Sequence, residues 1–404
     1  MKYIIILGDG MADYPIEKLG GKTPLMYANT PNIDALCAKG RTGKLITVPE
    51  DMPPGSEVAN LAVLGYDVKK VFQGRGVLEA ASMGVKLSDD DLALRCNLIC
   101  IEDEKIKNHS AGHITTEESH QLIAFLQEQL GDEFIHFYPG VSYRHLLVIK
   151  GGNKEIHCTP PHDVPGTPFH DVLITPLTQN GISTTGLLNR LILSSGELLR
   201  DHPVNIKRKA AGKDIANSIW PWSPGYKPEM KTFKELYGLT GAVISAVDLL
   251  HGIGVYAGFR SVSVDGATGL YDTNYEGKAK AAIEALKEVD FVYLHIEASD
   301  EAGHEGDVDL KVKTIEYLDE RVVRYIVEET SKWKDPVTIA ILPDHPTPCS
   351  LRTHTRDAVP FIIYKPGTEP DKIKVYNEKS VEKGYYGTLK GDEFIKELTG
   401  FSTR

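Results

Sequence analysis

The chain has 404 residues, 41% of them hydrophobic and 25% charged, with a formal net charge of −11. That length exceeds what one core supports, so two domains are expected, and the composition is that of an ordinary globular protein, so disorder is not the default. The acidic balance disfavours nucleic acid and anionic membranes as partners, but leaves room for a small anionic substrate at a local cluster of cations.

In chain order, the apolar run Tyr3–Leu7 is too short for a signal peptide or a membrane helix and reads as a buried strand ending in Gly8-Asp9-Gly10. Met52-Pro53-Pro54-Gly55 forces a turn, and the apolar run after it is helical, so Ser56 is placed at a helix N-terminus. From Leu87 to Pro203 the texture changes to short segments such as Tyr143–Lys150, turn clusters such as Thr159–Gly166, and many histidines. Ser218–Pro228, rich in proline, reads as a connector or a lid. Asp290–Ile296 is a strand followed by a polar loop. Val308–Lys332 carries apolar residues at 308, 312, 315, 318, 322 and 326, a helical period. Val337–Leu342 and Phe361–Tyr364 are further strands.

This order implies an α/β domain, a mostly parallel sheet with helices on both faces, interrupted by an inserted α+β domain. The expected bounds are 1–80 and 236–404 for the first and 81–235 for the insert. Five cysteines, at 37, 96, 100, 158 and 349, form no CxxC pair, which fits free thiols in a reducing cytoplasm. Gly8–Asp13 fails the dinucleotide fingerprint because Asp13 replaces its third glycine. Gly21-Lys22-Thr23 lacks the first glycine of a P-loop, since residue 16 is Ile. Gly74-Arg75-Gly76 is a turn whose Arg75 is a candidate phosphate contact.

Ligands of parallel sheets gather beyond the carboxyl ends of the strands. Asp9, Asp300 and Asp344 all lie there. Asp300 and His304 share a face if their segment is helical. Adjacent Asp344 and His345 point in different directions and can serve two neighbouring ions. His354 precedes a strand. Three carboxylates and three imidazoles with mixed oxygen and nitrogen donors suit two divalent ions, Mn or Zn above all, with Mg or Co also compatible. Ser56 is the candidate nucleophile, its alkoxide favoured by the helix N-terminus and by a bound metal. Arg144, Lys207, Arg208 and Lys213 are candidate cations for an anionic substrate.

Together these residues resemble the alkaline phosphatase superfamily and, more narrowly, the archaeal-type phosphoglycerate mutases that need no 2,3-bisphosphoglycerate. The likeness rests on Gly8–Asp13, Pro54-Gly55-Ser56, Asp300–His304, Asp344-His345 and His354-Thr355. It implies one ion held by Asp9, Ser56, Asp344 and His345 and another by Asp300, His304 and His354. It also implies a Ser56 phosphoserine linking 3-phosphoglycerate to 2-phosphoglycerate. The inserted domain would hold the substrate and exclude water, with His113, Arg144 and Arg208 as its contacts. A bacterial branch resembling this chain has been proposed to phosphorylate homoserine. Trp220 and Trp222 would then stack a nucleotide base. A metal-dependent phosphatase is the third reading.

Overall fold

The structure is a computed structural model and describes residues 1–401. It divides into two compact units, residues 1–72 with 229–401, and residues 73–228. The first boundary precedes the expected one because helix Arg75–Ser82 packs on strands Asp91–Glu102 and Ser218–Gly225 of the second unit. The second boundary follows directly on that last strand.

The first unit is built on an eight-stranded sheet. Its order is Arg260–Val262, Gly241–Ile244, Phe291–Ile296, Lys2–Gly8, Val337–Leu342, Val359–Tyr364, Arg41–Ile46 and Thr388–Lys390. Only Val359–Tyr364 runs against the rest. Phe291–Ile296 and Val337–Leu342 are buried at every residue, as strands sandwiched between helical layers must be. Their neighbour Lys2–Gly8 aligns Leu7 with both His295 and Leu342, so three adjacent strands end at one level. Asp9, Asp300 and Asp344 follow those ends. The helical stretch after residue 308 is not one regular helix. Helices Val308–Tyr317 and Arg324–Thr330 are joined by a π-helical turn, Leu318–Val323. The extra residue turns Asp319 toward helix Pro31–Cys37, where it accepts from the Ile33 amide at 2.7 Å and the Asn32 side chain at 2.7 Å.

The second unit is α+β around an antiparallel sheet, with Asp91–Glu102 paired to Arg144–Lys150 on one side and Ser218–Gly225 on the other. The expectation of a connector or lid at 218–228 is therefore corrected. Ser218–Gly225 is an edge strand, where prolines are tolerated because no ladder donor is lost. Trp220 and Trp222 are buried in this unit's core, their indole N–H groups bound to Thr159 O at 2.8 Å and Asn97 Oδ1 at 3.1 Å. They are not free to stack a base.

Candidate metal centre and cationic cluster

All seven residues singled out for metal and phosphoryl chemistry belong to the first unit, and the fold brings them together. Ser56 opens helix Ser56–Val63, with Gly55 as its N-cap. Its Oγ lies 3.1 Å from His345 Nε2. That nitrogen is 3.3 Å from Asp344 Oδ2 and 3.7 Å from Asp9 Oδ1. Asp300 and His304 share a face of helix Ala298–Glu305, and His304 Nε2 is 3.2 Å from Asp300 Oδ2. His354 Nε2 reaches the other oxygen of Asp300 at 3.5 Å, and its ring stacks on that of His345 at 3.9 Å.

The second nitrogen of each imidazole shows what the first can do. His304 Nδ1 faces the Arg352 carbonyl at 3.0 Å, and His354 Nδ1 faces the Pro54 carbonyl at 3.4 Å. His345 Nδ1 faces Thr347 Oγ1 at 3.2 Å, whose proton goes to Asp300 Oδ1 in a short bond. Each Nδ1 therefore carries a hydrogen and donates it, which in the neutral imidazole leaves Nε2 as the lone pair that a cation can take. The Nε2 atoms of His304 and His354 lie 2.9 Å apart, beside the carboxylate of Asp300. Acceptors converge in this way around a cation. Two of the three triads whose ligand atoms are close enough to share an ion are Asp300 with His304 and His354, and Asp9 with Asp300 and His345.

The electrostatics agree. Burial pushes the Asp9 carboxyl well above its usual range, and Asp344 and Asp300 raise it further. Its Oδ1 is buried and has no hydrogen-bond partner among the described residues. Burial alone would raise Asp300 too, but the bonds from His304 and His354 hold it well below the usual range. The same contact with Asp300 lifts His304 to about 9. Burial lowers His345, against the pull of Asp344. An orphaned carboxylate oxygen and three outward-wired imidazoles fit divalent ions.

The other three candidates lie in the second unit. His113 is exposed on a turn, in the left-handed region with φ of 53°. Arg144 opens its strand beside the Tyr143 ring, and its Nε is buried with no hydrogen-bond partner among the described residues. Arg208 is buried, and its guanidinium is committed to Glu118 at 2.6 Å, Ala111 O at 2.7 Å and Asp214 O at 2.8 Å. Those donors tie together the segments that carry Glu118, Ala111 and Asp214. Lys207 and Lys213 are exposed. A cationic cluster lies within this unit. Arg95 and Arg75 share the single carboxylate of Glu79, at 2.8 and 3.6 Å, and Arg95 stacks on Trp222. His162 touches the same ring, and His109 lies between His162 and Tyr143. Burial and the neighbouring cations lower both histidines.

The family model described as 2,3-bisphosphoglycerate-independent phosphoglycerate mutase matches residues 37–205. A Methanosarcina acetivorans protein of that name is 52% identical over 98% of this chain and 99% of its own length. The chain belongs to the 2,3-bisphosphoglycerate-independent phosphoglycerate mutase family. A solved Pyrococcus horikoshii structure superposes with a TM-score of 0.84 at 31% identity, covering 100% of this chain and 98% of that one. The cofactor-independent phosphoglycerate mutase of Thermoplasma acidophilum superposes at 0.69 with 26% identity, covering 99% of each. Membership of the mutase family, together with two buried tryptophans, leaves the homoserine reading unfavoured.

Several residues of this mutase-family centre escaped sequence reasoning. Asn60 donates to Ser56 O and Asp344 Oδ2, both at 2.8 Å, and accepts from Tyr293 Oη at 2.6 Å. Ser299 Oγ donates to Asp9 O at 2.6 Å. Lys311 bridges the loops after two strands, and His295 binds Asp9. Polar side chains inside apolar runs were the only signal.

Proposed function

We propose that this chain interconverts 3-phosphoglycerate and 2-phosphoglycerate through a phosphoserine at Ser56, beside two divalent ions. The observation that carries this reading is the Ser56 hydroxyl 3.1 Å from His345 Nε2, which in turn lies beside Asp344 and the orphaned Asp9 oxygen, in the same cluster as Asp300, His304 and His354. Asp9, Ser56, Asp344 and His345 would hold one ion, and Asp300, His304 and His354 the other. Mn or Zn suits that mixture of oxygen and nitrogen donors. When bound, such ions polarise phosphoryl oxygens and favour the ionised form of a nearby hydroxyl.

Ser56 Oγ attacks the phosphorus in line, the bond to the 3-oxygen of glycerate breaks, and that oxygen takes up the proton Ser56 released. The positive end of helix Ser56–Val63 supports the charge on both sides of the transfer. The freed glycerate reorients, and its 2-hydroxyl attacks the same phosphorus. Ser56 is restored and 2-phosphoglycerate leaves. Hydrolysis of the phosphoserine is the competing loss, so water must be kept away while glycerate turns. The second unit is assigned the substrate's negative charges through Arg144, with Arg75 and Arg95 beside it and His113 on the neighbouring turn. Three guanidiniums against the carboxylates of Glu79 and Asp163 leave this cluster cationic in an acidic chain.

The test is a substrate panel with the Mn-loaded protein. Conversion of 3-phosphoglycerate alone, followed by phosphorus NMR, is the expected outcome. Turnover of ATP with homoserine, and none of 3-phosphoglycerate, would overturn the reading.

A further inference from the structure

A third set of possible ligands lies beside the two triads: Asp9, His295 and Asp344, all buried, with ligand atoms within 4.8 Å of one another. By residue type alone it is a site for a third ion. Its hydrogen bonds point elsewhere. In His304, His345 and His354 Nδ1 is the donor, so in the neutral ring the Nε2 lone pair is the one left for a metal. His295 is wired the opposite way. The Val247 amide donates to Ser245 Oγ at 3.0 Å, so the Ser245 hydroxyl hydrogen is available to His295 Nδ1, 3.1 Å away. With Nδ1 accepting, the ring hydrogen of the neutral imidazole lies on Nε2, 2.9 Å from Asp9 Oδ2. Such an imidazole has no lone pair left for a metal. The bond takes one oxygen of Asp9 and leaves Oδ1, which is buried, has no hydrogen-bond partner among the described residues and lies 3.7 Å from His345 Nε2.

We infer that His295 is a positioning residue and not a ligand. With Ser245 it fixes the Asp9 carboxylate so that Oδ1 alone faces the ions, and the cluster holds two ions instead of three. Without the Nε2–H bond both oxygens would be free to swing, and the carboxylate would no longer be aimed before an ion arrives. Partners of this kind change metal affinity by about 10–100-fold when removed. The inference rests on the two-ion reading above, and its test separates the two.

Metal-free protein is titrated with Mn by calorimetry, and bound metal is counted, for the parent chain, His295→Leu, His295→Gln and Ser245→Ala. The parent is expected to bind two ions. His295→Leu should bind the same number about 10–100-fold more weakly. His295→Gln, which keeps an N–H for Asp9, should recover most of that loss. Nitrogen-15 NMR of histidine-labelled, metal-free parent protein should show the His295 hydrogen on Nε2, and Ser245→Ala should release that preference. The NMR result stands even if the leucine variant does not fold. Three ions in the parent and two in His295→Leu would overturn the inference. So would unchanged affinity in His295→Leu, or an Nδ1 hydrogen. A parent chain that binds no metal would overturn the two-ion reading as well.

Discussion

Lys311→Met should cost the first unit more than any surface substitution, and the loss should be largely reversed by a second change at Asp13. Lys311, on helix Val308–Tyr317, and Asp13 have fully buried side chains joined at 2.8 Å. The same ammonium donates to Thr347 O at 2.8 Å and Ala12 O at 3.3 Å. It therefore ties the loop carrying Asp9 to the loop carrying Asp344 and His345. Methionine fills the space but removes the cation and all three donors. Asp13 would keep backbone donors from Tyr14 at 2.7 Å and Cys349 at 3.1 Å, yet would remain an uncompensated buried charge. Breaking a buried pair in this way costs about 3–5 kcal/mol. Adding Asp13→Asn removes the stranded charge and keeps an acceptor, so the double variant should recover roughly half of the loss or more. Urea unfolding of metal-free protein, resolved by hydrogen exchange of peptides from the first unit, measures both values. A double variant no more stable than Lys311→Met alone would refute the reasoning, because the cost would then lie in the lost loop contacts and not in the buried charge.

Asn60→Ala unties the nucleophile helix from Asp344, and misplacement of a reacting group by about 1 Å costs about 100-fold in rate. Steady-state kinetics should show that fall in kcat with metal content unchanged. Arg144→Leu removes a charge-assisted contact worth about 1.5–3 kcal/mol. It should raise KM for 3-phosphoglycerate about 10-fold or more while leaving metal affinity alone. His145 supplies the pH dependence. It is buried, its Nδ1 accepts the Gly140 amide at 3.0 Å, and burial lowers it to about 3. Its folded value lies below the unfolded value of about 6.5, so the unfolded chain binds more protons between the two. The stability His145 supports is whole above that range and is lost as pH falls, by about 2 kcal/mol at pH 5. His145→Gln should flatten the acid limb of the second unit's unfolding curve, read by hydrogen exchange.

How far the sequence carries depends on how local each signal is. Asp9, Asp300 and Asp344 were legible because strand ends are visible as apolar runs breaking into polar loops. Ser56 was legible because Pro53-Pro54-Gly55 can only turn. His295, Asn60 and Lys311 were not, since each lies in a strand or helix and meets its partner across hundreds of residues of sequence. Proline misled the reading at 218–228, where an edge strand tolerates what a central strand would not. Arg208 looked like a free cation because nothing in its own segment shows Glu118, Ala111 and Asp214 gathering around it.

The most direct measurement is to mix metal-loaded protein with 3-phosphoglycerate, quench in acid within a turnover, and digest for mass spectrometry. The peptide carrying Ser56 should be heavier by one phosphoryl group, and Ser56→Ala should show neither that peptide nor turnover. Turnover without phosphate on Ser56, or phosphate on another side chain, would contradict the account.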